Sequence, residues 1–183
     1  MTARSLDPAT GTADWKAFHG RLRRSATAAA ETGEPLSLLM VDVDHLTGIN
    51  GRYGRPAGDR LLEALAGALR DGPPEHGAPP GRYGGGATLV AILPRTALAA
   101  AVAQAERIRA GLRSRPAPPG DGDGSVAPDA AVTASIGVAQ YRDGEPLARF
   151  LHRAAAALAR AKRAGRDRVV ADPVEDTEAH AQA

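Results

Sequence analysis

The chain contains no cysteine. That excludes disulfides, zinc ribbons, thiol nucleophiles and iron–sulfur clusters, and it fits a reducing compartment. Aromatic residues make up only 3%, too few for the stacking surfaces that hold single-stranded nucleic acid. Lysine is nearly missing: of 23 basic residues, only Lys16 and Lys162 are lysines. The positive charge is therefore arginine chemistry, dispersed along the chain with no dense run of the kind that tracks a nucleic-acid backbone. No stretch approaches the roughly 18 apolar residues of a membrane helix. Met1-Thr2-Ala3-Arg4-Ser5-Leu6-Asp7 has no apolar segment behind its charge, so no signal peptide is expected. The phosphate loop G-x-x-x-x-G-K-[ST], the zinc helix H-E-x-x-H and the nucleophile elbow G-x-S-x-G are absent. The histidines, His19, His45, His76, His152 and His180, are scattered. A cytoplasmic protein with neither nucleic-acid nor membrane partners is the expectation.

What is present is one domain's worth of chain, 183 residues with 43% hydrophobic content, enough to exclude global disorder. Thr12 or Asp14 can cap a helix with Trp15, Phe18 and Leu22 on one face, stopped at Gly33-Glu34-Pro35. Leu36 to Val41 is an unbroken apolar run, as in a strand buried on both faces, and it emerges at Asp42-Val43-Asp44. Asn50-Gly51 and Gly54-Arg55-Pro56 read as turns, and a helix from Ala57 aligns Leu61, Leu62, Leu65 and Leu69. Arg82-Tyr83, a glycine tip and Thr88 to Leu93 predict a β-hairpin. Thr96 is placed to cap a helix through Leu112. Val132 to Val138 predicts a strand, Pro146 opens a final helix, and Arg168 to Ala171 forms a last strand. Residues 1–11 are a lead-in, 12–171 the domain with a Pro/Gly-rich insertion at 115–129, and 172–183 an acidic, disordered tail. Asp121-Gly122-Asp123-Gly124 resembles the start of a calcium loop without its later ligands. A hairpin in this order makes the class α+β with a mixed sheet rather than a doubly wound one.

Five segments carry a more specific signal. Asp42-Val43-Asp44-His45 through Asn50, with Gly58-Asp59, is followed by Arg82-Tyr83-Gly84-Gly85, then Val132 to Val138, then Lys162-Arg163-Ala164-Gly165-Arg166. Together with Asp7-Pro8-Ala9-Thr10-Gly11, they resemble in order and spacing the GGDEF domain of diguanylate cyclases. The resemblance implies a nucleotidyl-cyclase, palm-like α+β fold, with a central five-stranded mixed antiparallel sheet flanked by helices. It also implies chemistry that condenses two GTP molecules into cyclic di-GMP across a dimer. By resemblance, Asp42, the Val43 carbonyl and Asp44 are metal-ligand candidates, Asn50 and Asp59 contact guanine, and Lys162 and Arg166 hold phosphate oxygens. An amide and a carboxylate can satisfy the guanine edge, and cations at i, i+4 share a helix face. Residue by residue the plainer roles stay open: a helix cap for Asp44, a turn former for Asn50, a dipole partner for Asp59, and helix-end cations for Lys162 and Arg166.

The departures are as informative. The family's Gly-Gly-Asp/Glu-Glu-Phe signature is here Gly84-Gly85-Gly86-Ala87-Thr88, and no Asp or Glu occurs from Arg82 to Leu93. Thr47 stands where the resemblance expects a phosphate lysine, and Ala155 where it expects an aspartate. The R-x-x-D inhibitory site maps onto Glu75 and Ala78. Losing a metal carboxylate forfeits several kcal/mol of transition-state stabilisation, and about 4 kcal/mol is roughly a thousandfold in rate. The expectation is a stand-alone, degenerate domain without cyclase activity. It would act as a guanine-nucleotide-binding or protein-interaction regulatory module, with weakly held Mg2+ accompanying GTP, an unidentified protein partner and a homodimer. The alternatives are a metal-dependent enzyme with altered chemistry on a nucleoside triphosphate, or a purely structural scaffold.

Overall fold

A computed structural model describes residue 7 and residues 11–70, 78–84, 86–114 and 132–173. The insertion at 115–129 with its Asp121 and Asp123, the tail beyond residue 173, Glu75 and Gly85 lie outside the described residues. The elements, in chain order, are α1 (Trp15–Thr32), β1 (Leu36–Val43), α2 (Leu46–Tyr53), α3 (Arg55–Arg70), β2 (Gly81–Arg82), β3 (Leu89–Pro94), α4 (Leu98–Arg113), β4 (Ala134–Gln140), α5 (Leu147–Arg163) and β5 (Val169–Ala171). The strands form one sheet in the order β2-β3-β1-β4-β5. β1 is antiparallel to both β3 and β4, whereas β5 joins β4 in parallel, so the sheet is mixed as expected.

β1 is central because it can be buried on both faces. Alternation along a strand sends Leu39, Val41 and Val43 to one face, against Leu61, Leu65 and Leu69 of α3 and Ile108 and Leu112 of α4. Leu36, Leu38 and Met40 face the other way, against Phe18 and Leu22 of α1 and Phe150 and Leu151 of α5. The apolar run ends at Asp42, near the end of the central strand where β1 meets the loop to α2. Helix α5 lies tightly on β4: a Cβ built on Gly137 would approach Ala154 O and Leu158 N at 2.3 Å, so only glycine lets the backbones meet.

Asp14 caps α1 by accepting from Ala17 N at 2.7 Å, and Gly33 ends it at φ 70°. Three expectations are corrected. Asn50 and Gly51 lie inside α2 rather than in a turn, because α2 packs against the start of α3 and tertiary contact overrides their turn preference. Thr96 does not cap α4; its hydroxyl bonds Pro94 O, and Gln140 from β4 accepts from Leu98 N at 2.7 Å instead. Asp172 is not tail. It is buried and pairs with Arg153 at 2.9 Å, so the domain extends past residue 171. Arg153 is itself enclosed and also binds Glu145 and the Gln140 carbonyl. Burial alone would lower the pKa of this guanidinium, but its hydrogen bonds to the two carboxylates outweigh that and raise it.

Candidate functional site

Where β1 leaves the sheet, a cleft of about 610 Å³ opens between the β1–α2 loop, the start of α3, the hairpin and the end of α5. Asp42, Val43, Asp44, Asn50, Asp59, Lys162 and Arg166 all line it. The structure thus gathers the sequence-predicted residues from four separate segments into one place. Arg55 and Arg82 line it too, with Ala87 from the hairpin.

Asp42 stands at the mouth of the strand. Its Oδ1 lies 2.8 Å from Lys162 Nζ, and its Oδ2 accepts from Thr88 Oγ1 at 2.7 Å. Thr88 can reach it because β1 and β3 are paired up to Val41 and Leu89, which places the next residues opposite one another. Asp44 is a different kind of carboxylate. It is 3% exposed; its Oδ1 accepts from Ser135 Oγ at 2.7 Å, and its Oδ2 accepts from Thr133 Oγ1 at 2.8 Å and Asp167 N at 3.1 Å. It ties the start of β4 and the α5–β5 turn to the end of β1. It does not cap α2, whose N-cap is His45 in a left-handed conformation with φ 56° and no side-chain cap.

Asn50 and Asp59 face the cleft from α2 and α3. The Oδ1 of Asn50 is buried with no hydrogen-bond partner, an acceptor without a donor and hence a costly arrangement in the free protein. It sits directly over Gly58, where a built Cβ would come within 2.0 Å of it. Glycine at that position lets the amide lie flat against α3. Asp59, one residue on, is exposed.

Lys162 and Arg166 share the cleft but not a helix face. α5 stops at Arg163, and Gly165, Arg166 and Asp167 all have positive φ, of 109°, 62° and 43°. The turn carries Arg166 around to the cleft, and Asp167 anchors that turn. The Asp167 carboxylate takes Arg109 at 2.7 Å and Arg113 at 2.6 Å from α4. Glu106 first, and Asp167 second, raise the pKa of Arg109, keeping it charged at this anchor. Arg82 donates through Nε to Gly86 O at 3.2 Å and pairs loosely with Asp7 at 3.6 Å. Arg55 and the Thr88–Asp42 bond were not singled out from sequence. The only signal for either was position: a cation in the Gly54-Arg55-Pro56 turn and a hydroxyl at the end of the hairpin.

The donor set offers a divalent ion no carboxylate that is not already paired or hydrogen-bonded. Each oxygen of Asp42 and of Asp44 already receives a hydrogen bond or an ammonium, and Gly86 and Ala87 offer no carboxylate. Among the described residues no group of three or more His, Cys, Asp or Glu side chains is placed to hold a metal.

The chain is thus an α+β domain with a five-stranded mixed sheet and a polar, arginine-bordered cleft at the end of its central strand. The family described as "Diguanylate cyclase, GGDEF domain" matches residues 4–168, and the chain belongs to it. It is similar to the diguanylate cyclase DgcP of Pseudomonas aeruginosa, 34% identical over 163 residues, covering 89% of this chain and 23% of that protein. It is also similar to diguanylate cyclase A of Treponema denticola, 36% identical over 146 residues, covering 78% of this chain and 36% of that protein. The chain thus spans well under half the length of these curated relatives. Among solved structures it resembles the GGDEF domain of DgcB from Caulobacter crescentus in complex with c-di-GMP, with a TM-score of 0.82 and 32% identity over 94% of this chain and 98% of that one. The Pseudomonas aeruginosa diguanylate cyclase SiaD in complex with its activator SiaC gives 0.78 and 33%, covering 92% of this chain and 62% of that one. The described residues contain no helix long and apolar enough to cross a membrane.

Proposed function

We propose that this domain binds a guanine nucleotide without cyclising it and acts as a regulatory module in cyclic di-GMP signalling, its occupancy read by a protein partner. The observation that carries the reading is the convergence on one cleft of Asn50, exposed Asp59, and the cations Lys162 and Arg166. The N1–H and N2–H₂ edge of guanine supplies donors for the exposed Asp59 carboxylate, with the Asn50 amide beside it, whereas adenine presents a different pattern. Phosphates suit the cations.

The lack of cyclisation follows from the acids. Phosphoryl transfer is positioning plus charge neutralisation, and the divalent ions that supply the latter need carboxylates free to bind them. Mg2+ arriving with GTP finds Asp42 and Asp44 engaged and no acid at residues 86 and 87, so the nucleotide's own phosphates are its ligands. The complexes of two relatives, one with c-di-GMP and one with an activator protein, support nucleotide and protein partners for this chain.

Calorimetric titration with GTP and ATP, alongside incubation with GTP and Mg2+ followed by mass spectrometry, tests the reading. GTP is expected to bind about tenfold or more tightly than ATP, with no cyclic di-GMP formed. Accumulation of cyclic di-GMP, or absence of GTP binding, overturns it.

A further inference from the structure

We infer that this cleft takes its nucleotide free of divalent metal, with Lys162 and neighbouring arginines supplying the positive charge. The inference rests on the reading of the cleft as a guanine-nucleotide site, and it concerns which ionic form of the nucleotide is recognised.

Lys162 Nζ is already seated on Asp42 at 2.8 Å, and Thr88 holds the other oxygen of that carboxylate. A divalent ion on Asp42 would therefore share that carboxylate with an ammonium and lie beside it. Asp44 offers no relief, because it is buried and braced by Ser135, Thr133 and the Asp167 amide. Mg2+ is ordinarily held through one or two carboxylates plus substrate phosphates; the carboxylate share of that set is spent here.

The charge that remains is suited to bare phosphate. Lys162 is 36% exposed even while paired, so a phosphate oxygen can approach it without breaking the pair with Asp42. Arg166 is exposed on its positive-φ turn, and Arg55 and Arg82 line the same cleft. Arginine presents planar donors that match phosphate oxygens and needs no metal as intermediary. With four cations against the three carboxylates Asp42, Asp44 and Asp59, the lining keeps a net positive charge, against which a nucleotide already neutralised by Mg2+ has less to gain than the free anion.

The test is calorimetric titration of the wild-type protein with GTP in EDTA and again in excess MgCl2. The expected result is an affinity in EDTA equal to or greater than that in Mg2+, and a deficit of up to about threefold still supports the inference. Tightening by Mg2+ of more than about threefold overturns it. As a second readout, electron paramagnetic resonance of Mn2+ added to nucleotide-free protein should show only the free ion. Bound Mn2+ that the Asp42→Asn variant abolishes would also overturn it. Binding that depends on Mg2+ sinks this inference alone, whereas no GTP binding in either buffer sinks the nucleotide reading beneath it as well.

Discussion

Ser135 Oγ donates to Asp44 Oδ1 at 2.7 Å across a sequence separation of 91 residues, with both side chains buried. Together with Thr133 and the Asp167 amide, this makes Asp44 a brace between the end of β1, the start of β4 and the turn that carries Arg166. Asp44→Ala leaves the buried Ser135 hydroxyl and two partly buried donors without an acceptor, at about 1–3 kcal/mol for a buried group left unsatisfied. A loss of about 3 kcal/mol in unfolding free energy is expected from urea denaturation. Ser135→Ala in the same background should add much less than it does alone, since the two share one bond. An Asp44→Ala protein of wild-type stability would contradict the brace.

Opposite signs are expected at the two ends of the Lys162–Asp42 pair. Lys162→Ala removes a phosphate-binding cation and should weaken GTP binding about tenfold, roughly 1.4 kcal/mol. Asp42→Asn releases the ammonium from its carboxylate and should leave GTP affinity unchanged or raise it severalfold. In a site where Asp42 holds a catalytic metal, Asp42→Asn would instead be the more damaging change. Titrating both variants with GTP separates the two cases.

Gly137 lies in β4 with its hydrogen facing the α5 backbone, where a Cβ would sit 2.3 Å from Ala154 O and from Leu158 N. The neighbours are main chain and cannot rotate aside, so Gly137→Ala must push α5 off the sheet. Overpacking of this kind costs about 1–3 kcal/mol. The displacement should also reach Lys162, farther along the same helix, so weaker GTP binding is expected together with a lower thermal midpoint. Unchanged stability would mean that the helix and sheet are less closely apposed than the structure has them.

Burial first, and the charges of Asp143 and Glu145 next, raise the pKa of the Tyr141 phenol above its ordinary value. The neutral form is thus favoured in the fold. The sign follows: the stabilisation is complete below the unfolded phenol's pKa of about 10 and is lost as pH rises through the higher folded value. Urea midpoints measured upward from pH 9 should fall, and Tyr141→Phe should flatten that fall, at the cost of the bond from Tyr141 Oη to Glu145 O. An equally steep decline in the variant would assign the effect to another group.

How much of this was legible in the sequence depended on the range of the interaction. β1 was readable because a strand buried on both faces writes itself as an unbroken apolar run, and α1 because Asp14 and Gly33 are local signals at its two ends. Asn50-Gly51 is turn chemistry in isolation, yet both lie inside α2, where packing against α3 overrides it. The i, i+4 spacing of Lys162 and Arg166 suggested one helix face, but Arg166 and Asp167 adopt positive φ past the helix end. The different surroundings of Asp42 and Asp44 are not legible locally because their partners are 46 to 123 residues distant. No local pattern records that one carboxylate faces a lysine in a cleft and the other lies buried among hydroxyls. Asp172 looked like tail for the same reason, since Arg153 is reached only when α5 folds back along β5.

Asn50 offers the sharpest separation of folding from binding. Its Oδ1 is buried without a donor in the free protein, so removing it forfeits no hydrogen bond in the fold. Asn50→Ala should therefore change the urea midpoint little, the packing lost over Gly58 being offset by relief of the unsatisfied carbonyl. The residue also lines the cleft, so loss of its amide is expected to count on binding. GTP affinity should fall by about 1–2 kcal/mol, close to tenfold, and the preference for GTP over ATP should shrink with it. Asp59→Asn, at an exposed position, should reduce the same preference without affecting stability. If Asn50→Ala instead destabilises the protein by several kcal/mol while GTP binding is unchanged, the amide is a packing element of the α2–α3 contact. The base would then have to be read elsewhere in the cleft.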